Sequence, residues 1–437
     1  MGTNEKMSAA VRIIRNAHKE KTDAVSAAFL SMISGKSIVF IGPNGAGKDL
    51  IIRDVCAAAG KKDFVYTISP SANKDEFISK ADEKTIIVLD DVFKANSTAM
   101  NGIAEMMKSG ETVFGSSWDV PSEDDEAYSL YDRFLFRIFI EPLRSDEAFL
   151  SFIDSAEEMK IPSATDQKDV SSVKKAAESI PVEDDVLASI LSLRDVFKDA
   201  GKYISDERWK DSLYAMKVAA VAAGVKSVGI SFIPLLQYTL WDWPEEIDDI
   251  RKAIFAVCIP GGLELSGLYA EADELLKLSV ESKGAVDENA GFPRMIHCYD
   301  CNSSFPTLKR LKEHNISRPT HTYADPHIAK SDSQDYVKYA YEELVTLLSS
   351  KYGWDLFKKN DGTEKEIFLN EAKTLRERKK LLEENYDNDR VRLMKELENN
   401  FWLTEQDRKD MINAFNLRSA QLAEIEGLTA DTEFILQ

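Results

Sequence analysis

Apolar residues recur at helical spacing across residues 7–33, at Val11, Ile14, Ala17, Val25, Phe29 and Ile33, and stop at Gly35; the pattern predicts a helix. The period then changes. Residues 37–41 are a short apolar run with β-branched members, hence a strand, and a glycine-rich turn leads from it into a helix that starts at Lys48 and ends near Gly60. A strand follows over 64–68 and a helix over 75–81. A fully apolar strand over 85–89 runs into Asp90 and Asp91, and Ser97 caps a helix to Met107. Two more strands are expected over 111–115 and 134–140. Strands alternating with helices in this way predict an α/β core with a parallel sheet covered on both faces.

Past Pro142 the strand signals cease. Residues 146–256 read as helical, most clearly over 203–224 and 230–240, and 263–282 as a further helix. Residues 288–335 are broken and hold four of the five histidines, and 335–350 return to helix. Residues 364–401 and 404–425 then read as a helical hairpin. In its second arm Met411, Phe415, Arg418, Leu422 and Ile425 alternate steps of four and three, a narrow seam of the coiled-coil kind.

Charge and size narrow the function classes. The 437 residues suffice for two to four domains, and 44% are hydrophobic. A formal net charge of −20 argues against non-specific wrapping of nucleic acid, whose phosphates most of this surface would repel, while leaving room for one small basic patch. The densest acidic run, Glu123-Asp124-Asp125-Glu126, reads as a solvated loop. No apolar run approaches the ~18 residues of a membrane span. A basic segment followed by an apolar one is missing from the N-terminus, so no secretory signal is expected. The four cysteines, at 56, 258, 298 and 301, are too few for a disulfide scaffold, which makes the cytoplasm the expected compartment.

Gly42, Pro43, Asn44, Gly45, Ala46, Gly47, Lys48 and Asp49 fit G-x-x-x-x-G-K between a strand and a helix, the setting in which this loop cradles phosphates. The glycines let backbone N–H groups turn inward, the helix N-terminus adds a favourable dipole, and Lys48 would reach the β and γ phosphates of ATP. The position after Lys48 normally offers Mg²⁺ a hydroxyl. Asp49 could ligate the metal instead, yet it also sets a negative charge beside a polyanion. Asp90, at the end of the 85–89 strand, would hold Mg²⁺ through water. Asp91 stands where a longer glutamate usually polarises the attacking water.

These residues, with Leu89-Asp90-Asp91-Val92-Phe93-Lys94-Ala95, Leu130-Tyr131-Asp132-Arg133-Phe134 and Ser205-Asp206-Glu207-Arg208-Trp209, resemble the MoxR group of AAA+ ATPases, and within it the RavA branch, over roughly residues 7–260. The resemblance implies an αβα AAA+ core, a helical lid, and a hexameric ring with nucleotide between subunits. It makes Arg133 the residue that acts in trans on a neighbour's γ-phosphate. The second sensor arginine of the family falls at Glu207, with Arg208 next door as the candidate, and the first sensor falls near Ser117 or Trp118. Asp49, Asp91, Trp118 and Glu207 depart from the pattern, so nucleotide binding is expected more firmly than turnover. The group often works with a partner carrying a von Willebrand factor A domain and remodels or matures a client complex.

Cys298-Tyr299-Asp300-Cys301 precedes His314 by twelve residues, and His321 follows six residues later, a spacing close to that of a C₂H₂ zinc finger. His297 and His327 are weaker candidates. Zn²⁺ would be structural, because Phe305, Leu308, Leu311 and Ile316 are nearly all the apolar residues this segment offers. The finger helix would present Thr307, Arg310 and Glu313, flanked by Lys309 and Lys312. A single finger on an acidic chain favours docking of a protein over reading of DNA. The expected organisation is an AAA+ core over 1–144, a lid over 145–260, a discontinuous helical arm over 261–287 and 331–437, and the zinc module over 288–330.

Overall fold

The break in apolar spacing between Ala17 and Val25 is filled by charged Lys19, Glu20 and Lys21, and the chain uses it to turn. Two helices stand where one was expected: α1 (Thr3–Ala17) and α2 (Thr22–Ser34), the second closed by Gly35 in the left-handed region. The computed structural model describes residues 2–80, 85–154, 161–281, 283–286, 291–324, 338–352, 358–360 and 365–436. His327, residues 335–337 and the ends of the expected zinc module lie outside them. The chain divides into two units, Met1–Pro260 with Val391–Ile412, and Gly261–Arg390 with Asn413–Gln437. The bend of the C-terminal hairpin thus belongs with the first unit. There Trp402 donates from its indole to the Ala219 carbonyl, and Arg15 donates to the carbonyls of Phe401 and Trp402.

In the first unit five strands form one parallel sheet: β1 (Ile38–Ile41), β2 (Lys62–Thr67), β3 (Thr85–Asp90), β4 (Val113–Ser117) and β5 (Phe136–Phe139), in the order β2-β3-β4-β1-β5. Every residue of β1 is buried, as a strand covered on both faces requires. Between the strands run α3 (Lys48–Ala58), α4 (Lys74–Ile78), α5 (Ser97–Lys108) and α6 (Tyr128–Tyr131). Asn96, one residue before the expected cap, accepts the Ala99 N–H at the start of α5. The strand order places the end of β1 between those of β4 and β5, with β3 one strand further.

Helices follow: α7 (Asp146–Asp154), α8 (Gln167–Ala177), α9 (Asp184–Asp199), α10 (Asp206–Ala223) and α11 (Ile247–Val257). Where a helix was expected over 230–240, Ile230–Tyr238 is a 3₁₀ run, since Pro234 removes an amide donor from its middle.

The second unit contains α12 (Gly262–Glu281), β6 (Lys283–Val286), β7 (Gly291–His297), β8 (Ser304–Thr307), α13 (Leu308–Ser317), β9 (Tyr323–Ala324), β10 (Lys338–Tyr339), α14 (Tyr341–Tyr352) and β11 (Lys358–Asn360). The hairpin helices are α15 (Lys365–Asn399) and α16 (Glu405–Leu436). The seam of α16 is buried along its length, including Arg418, whose guanidinium pairs with Asp389 at 2.7 Å.

Candidate functional site

The glycine loop leaves β1 against the end of β5. At Gly42, φ is +141° and a Cβ would stand 2.1 Å from the Ile140 carbonyl oxygen, so only glycine permits this approach. Gly47, at φ +90°, turns the loop into α3. Lys48 is buried and folds its ammonium over the loop, donating to the carbonyls of Gly42 at 2.5 Å and Pro43 at 3.2 Å. Burial lowers its pKa, against the pull of Asp90, Asp49 and Asp91. Burial, then the charge of Asp90, raises the Asp49 carboxyl, while Lys48 opposes. The loop cation and the two candidate metal ligands are therefore one electrostatic group. Lys21, on the turn before α2, donates to the Ala46 carbonyl from the other side. It also lines a cavity of about 510 Å³ with Glu20, Phe139, Ile140, Pro142 and Arg144.

Asp90 ends β3, and Ser116 of β4 donates from Oγ to its Oδ1 at 2.5 Å. The resemblance puts the family's first sensor near Ser117 or Trp118, one or two residues further on. Ser117 instead donates to the Asp119 carbonyl at 2.8 Å, and Trp118 is exposed. The pairing of Leu89 with Gly115 brings about the contact of Ser116 with Asp90, because the next step along both strands sets the two side by side. The strand expected to end at 115 runs to Ser117. Asp91 sits at φ +55°, outside the strand, with its carboxylate 2.7 Å from the Lys94 ammonium.

Arg133 lies exposed in the turn between α6 and β5, and Glu207 is exposed in the first turn of α10. Arg208 is buried. Its guanidinium donates to the carbonyls of Asp132, Phe134, Leu135 and Thr239 and to the Asp132 carboxylate. These bonds tie the start of α10 to the turn that bears Arg133, and none of them reaches Lys48 or Asp90.

In the second unit β7, β8 and α13 make a ββα module. The four atoms offered by Cys298, Cys301, His314 and His321 lie within 4.8 Å of one another. Cys298 Sγ is 3.3 Å from His321 Nδ1, and Cys301 Sγ is 3.3 Å from His314 Nε2. Metal–ligand bonds of ~2.0–2.3 Å around one tetrahedral ion would need little movement, and two thiolates with two imidazoles are the donor set Zn²⁺ prefers. His321 comes from the loop after α13, whose return is fixed by Asp300 accepting from the Thr322 N–H at 2.6 Å and hydroxyl at 3.0 Å. Tyr323, paired across a bridge with Cys298, brings its hydroxyl to 3.0 Å from His314 Nδ1, the nitrogen turned away from the thiols. Ser303, by hydroxyl and by backbone N–H, holds the Cys301 thiol down at about 6 against desolvation, and His314 adds to this, while burial pushes the Cys298 thiol up.

Phe305, Leu308 and Leu311 are buried, but Ile316, expected to share their core, is 75% exposed. Thr307 is the N-cap of α13, accepting the Arg310 N–H at 3.3 Å. His297 pairs with Ser304 Oγ at 2.8 Å and stays outside the cluster.

Residues 185–254 match the AAA lid domain. Two uncharacterized proteins of Methanocaldococcus jannaschii are 25% and 27% identical to the chain over 270 and 273 residues, 54% of this chain in each case and 70% and 72% of their own lengths. A solved structure of a candidate ATPase from Cytophaga hutchinsonii is 15% identical, with a TM-score of 0.43 over 57% of this chain and 95% of its own. The AAA lid, following a parallel sheet with its glycine loop after β1, makes the first unit an α/β AAA+ fold. No described helix is long and apolar enough to cross a membrane.

Proposed function

We propose that this protein is an ATP–Mg²⁺-binding AAA+ ATPase of the MoxR group, RavA branch. It works in the cytoplasm as a ring, hexameric by resemblance, that remodels or matures a partner complex. The observation that carries this reading is the meeting of Lys48, Asp49, Asp90 and Ser116 at the C-terminal ends of β1, β3 and β4. In an open parallel sheet, ligands bind at those ends. Lys48 exchanges the carbonyls of Gly42 and Pro43 for phosphate oxygens, and the loop N–H groups and the N-terminus of α3 receive the rest of the charge. Asp90, held by Ser116, and Asp49 are the groups that would hold Mg²⁺, which when bound supplies charge neutralisation at the phosphates. The cavity beside Lys21 leaves room for the nucleoside. Arg133 supplies positive charge to the neighbour's site. Phosphate release by the purified protein from ATP–Mg²⁺ tests the reading; turnover abolished by Lys48→Ala supports it, and no turnover by the wild type sinks the hydrolytic part.

A second reading has its own observation. The Asp91 carboxylate is drawn to Lys94, so the position that should polarise water is both short and engaged. On that reading the ring is a weakened AAA+ scaffold. It recruits a protein through the module of Cys298, Cys301, His314 and His321, with Zn²⁺ as structural metal. The recruited partner is a protein, with DNA the lesser candidate; a partner with a von Willebrand factor A domain belongs with the first reading. Nucleotide binding without turnover, together with partner capture lost on Cys301→Ser, would select it.

A further inference from the structure

Arg208 belongs to the first turn of α10, Arg133 to the turn before β5, and hydrogen bonds join the two segments on both sides of Arg133. Arg208 Nη2 donates to the Asp132 carbonyl at 2.6 Å and to its carboxylate at 2.9 Å; Nη1 donates to the Thr239 carbonyl at 2.9 Å and to those of Phe134 and Leu135 at 3.3 Å. A second guanidinium meets the same carboxylate: Arg137 Nη2 stands 3.2 Å from Asp132 Oδ1. Arg137 is fully buried, lies 4.2 Å from the centre of the Tyr131 ring, and donates to the Trp241 carbonyl at 2.6 Å and to the Asp242 carboxylate. Burial would raise the Asp242 carboxyl, but Arg137 and Lys202 draw it below its ordinary range. Lys202 bonds Asp242 at 2.6 Å and Glu246 at 2.8 Å. A continuous chain of ion pairs therefore runs from lid residues to Asp132, and the next residue is the exposed Arg133.

We propose that Arg208 is a positioning residue that acts through Asp132 and Phe134 to fix the Arg133 turn, so that the lid and Arg133 move as one piece. A planar fork of five donors matched to converging carbonyls is specific to arginine, and a lysine ammonium cannot span them. A buried guanidinium already committed to carbonyls is not free to meet a phosphate. The consequence is a direct route by which lid position sets the placement of the arginine offered to the next subunit. The inference rests on the reading of Arg133 as the trans-acting residue.

The test uses Arg208→Lys and Asp132→Asn in the full chain, with three readouts. Hydrogen exchange is followed at the Arg133 and Phe134 amides, which bond the Leu130 carbonyl at 3.1 Å and the Tyr131 carbonyl at 3.0 Å. Nucleotide affinity and ATP turnover are measured alongside, and Arg208→Lys is repeated in an Arg133→Ala background. The clamp predicts exchange at these amides faster by about tenfold or more in both variants, unchanged nucleotide affinity, and kcat lower by about tenfold with no further fall when Arg133 is already absent. Unchanged exchange overturns the clamp. Lost nucleotide affinity, or a further fall in kcat without Arg133, overturns action through Arg133 and returns Arg208 to the nucleotide. Should the wild type not turn over ATP, the hydrolytic reading fails while the exchange rates still decide the clamp. Should Arg208→Lys not fold, Asp132→Asn, which keeps the buried guanidinium, decides it.

Discussion

Ser116 and Asp90 face each other at the ends of neighbouring parallel strands, with the serine hydroxyl 2.5 Å from one carboxylate oxygen. Ser116 is fully buried, and its bond orients the carboxylate proposed to hold Mg²⁺. A hydrogen bond to a charged acceptor contributes ~1.5–3 kcal/mol. Ser116→Ala should weaken Mg²⁺-dependent nucleotide binding about tenfold and leave Mg²⁺-free binding unchanged. Titration of nucleotide with and without metal separates the two, and equal losses in both conditions would speak against a metal role for Asp90.

Lys48→Ala should abolish stabilisation by ATP–Mg²⁺ in a thermal melt. A ligand present at about 100 times its Kd adds ~2.7 kcal/mol to the folded state, and that gain should vanish with the phosphate contact. Asp49→Thr bears on the neighbouring charge. If Asp49 chiefly repels the polyanion, the threonine variant binds ATP more tightly; if it is a required ligand, Mg²⁺-dependent binding falls.

The distribution of these residues explains what the sequence could and could not convey. The glycine loop, the acidic end of β3 and the four thiol and imidazole ligands each lie within a short stretch, and short-range spacing is visible in one dimension. Ser116 became legible only through the register of β3 against β4, because its partner is 26 positions away. Arg208 is a candidate site residue in the sequence only through its place beside Glu207. Its actual partners, from Asp132 to Thr239, depend on how α10 packs on the turn before β5. The turn between α1 and α2 is hidden from apolar periodicity for a related reason. Apolar spacing on both sides of Lys19, Glu20 and Lys21 is nearly in phase, so periodicity alone bridged a break that Lys21 uses to reach Ala46.

Arg133 is exposed in its turn, and the proposal that it serves a neighbouring subunit has a direct kinetic test. If the protein hydrolyses ATP, Arg133→Ala should lower the rate by at least ~10²-fold while nucleotide binding persists. If the proposed ring forms, mixing Arg133→Ala and Lys48→Ala subunits should recover part of the activity, because the two defects would fall in different halves of a shared site. An active wild type whose mixtures stay inactive would argue for a site completed within one chain.

The cluster of Cys298, Cys301, His314 and His321, if it holds Zn²⁺ as proposed, predicts about one zinc per chain by elemental analysis, released by Cys301→Ser with nucleotide binding retained. Without metal the two thiols should behave differently. Cys301 is held near 6 by Ser303 and His314, whereas burial raises Cys298. The lowered pKa favours the thiolate of Cys301, which should be alkylated before Cys298 by iodoacetamide in chelator-treated protein, while zinc should protect both. The sign of the pH dependence follows from a folded pKa below the usual thiol value of ~8.5. The stabilisation from this thiolate is fully present above that value and is lost as pH falls through about 6, so the metal-free module should loosen on acidification across that window. Zinc release competes in the same direction, because protons and metal seek the same sulfurs. Tyr323→Phe separates the ligands from their support: it removes the hydroxyl beside His314 Nδ1 and keeps the ring, which is fully buried in this unit's core. Zinc affinity should fall ~10-fold or more with the four ligands intact. Equal affinity in that variant would mean that His314 is oriented by packing against Phe305, whose ring centre is 4.6 Å from its own.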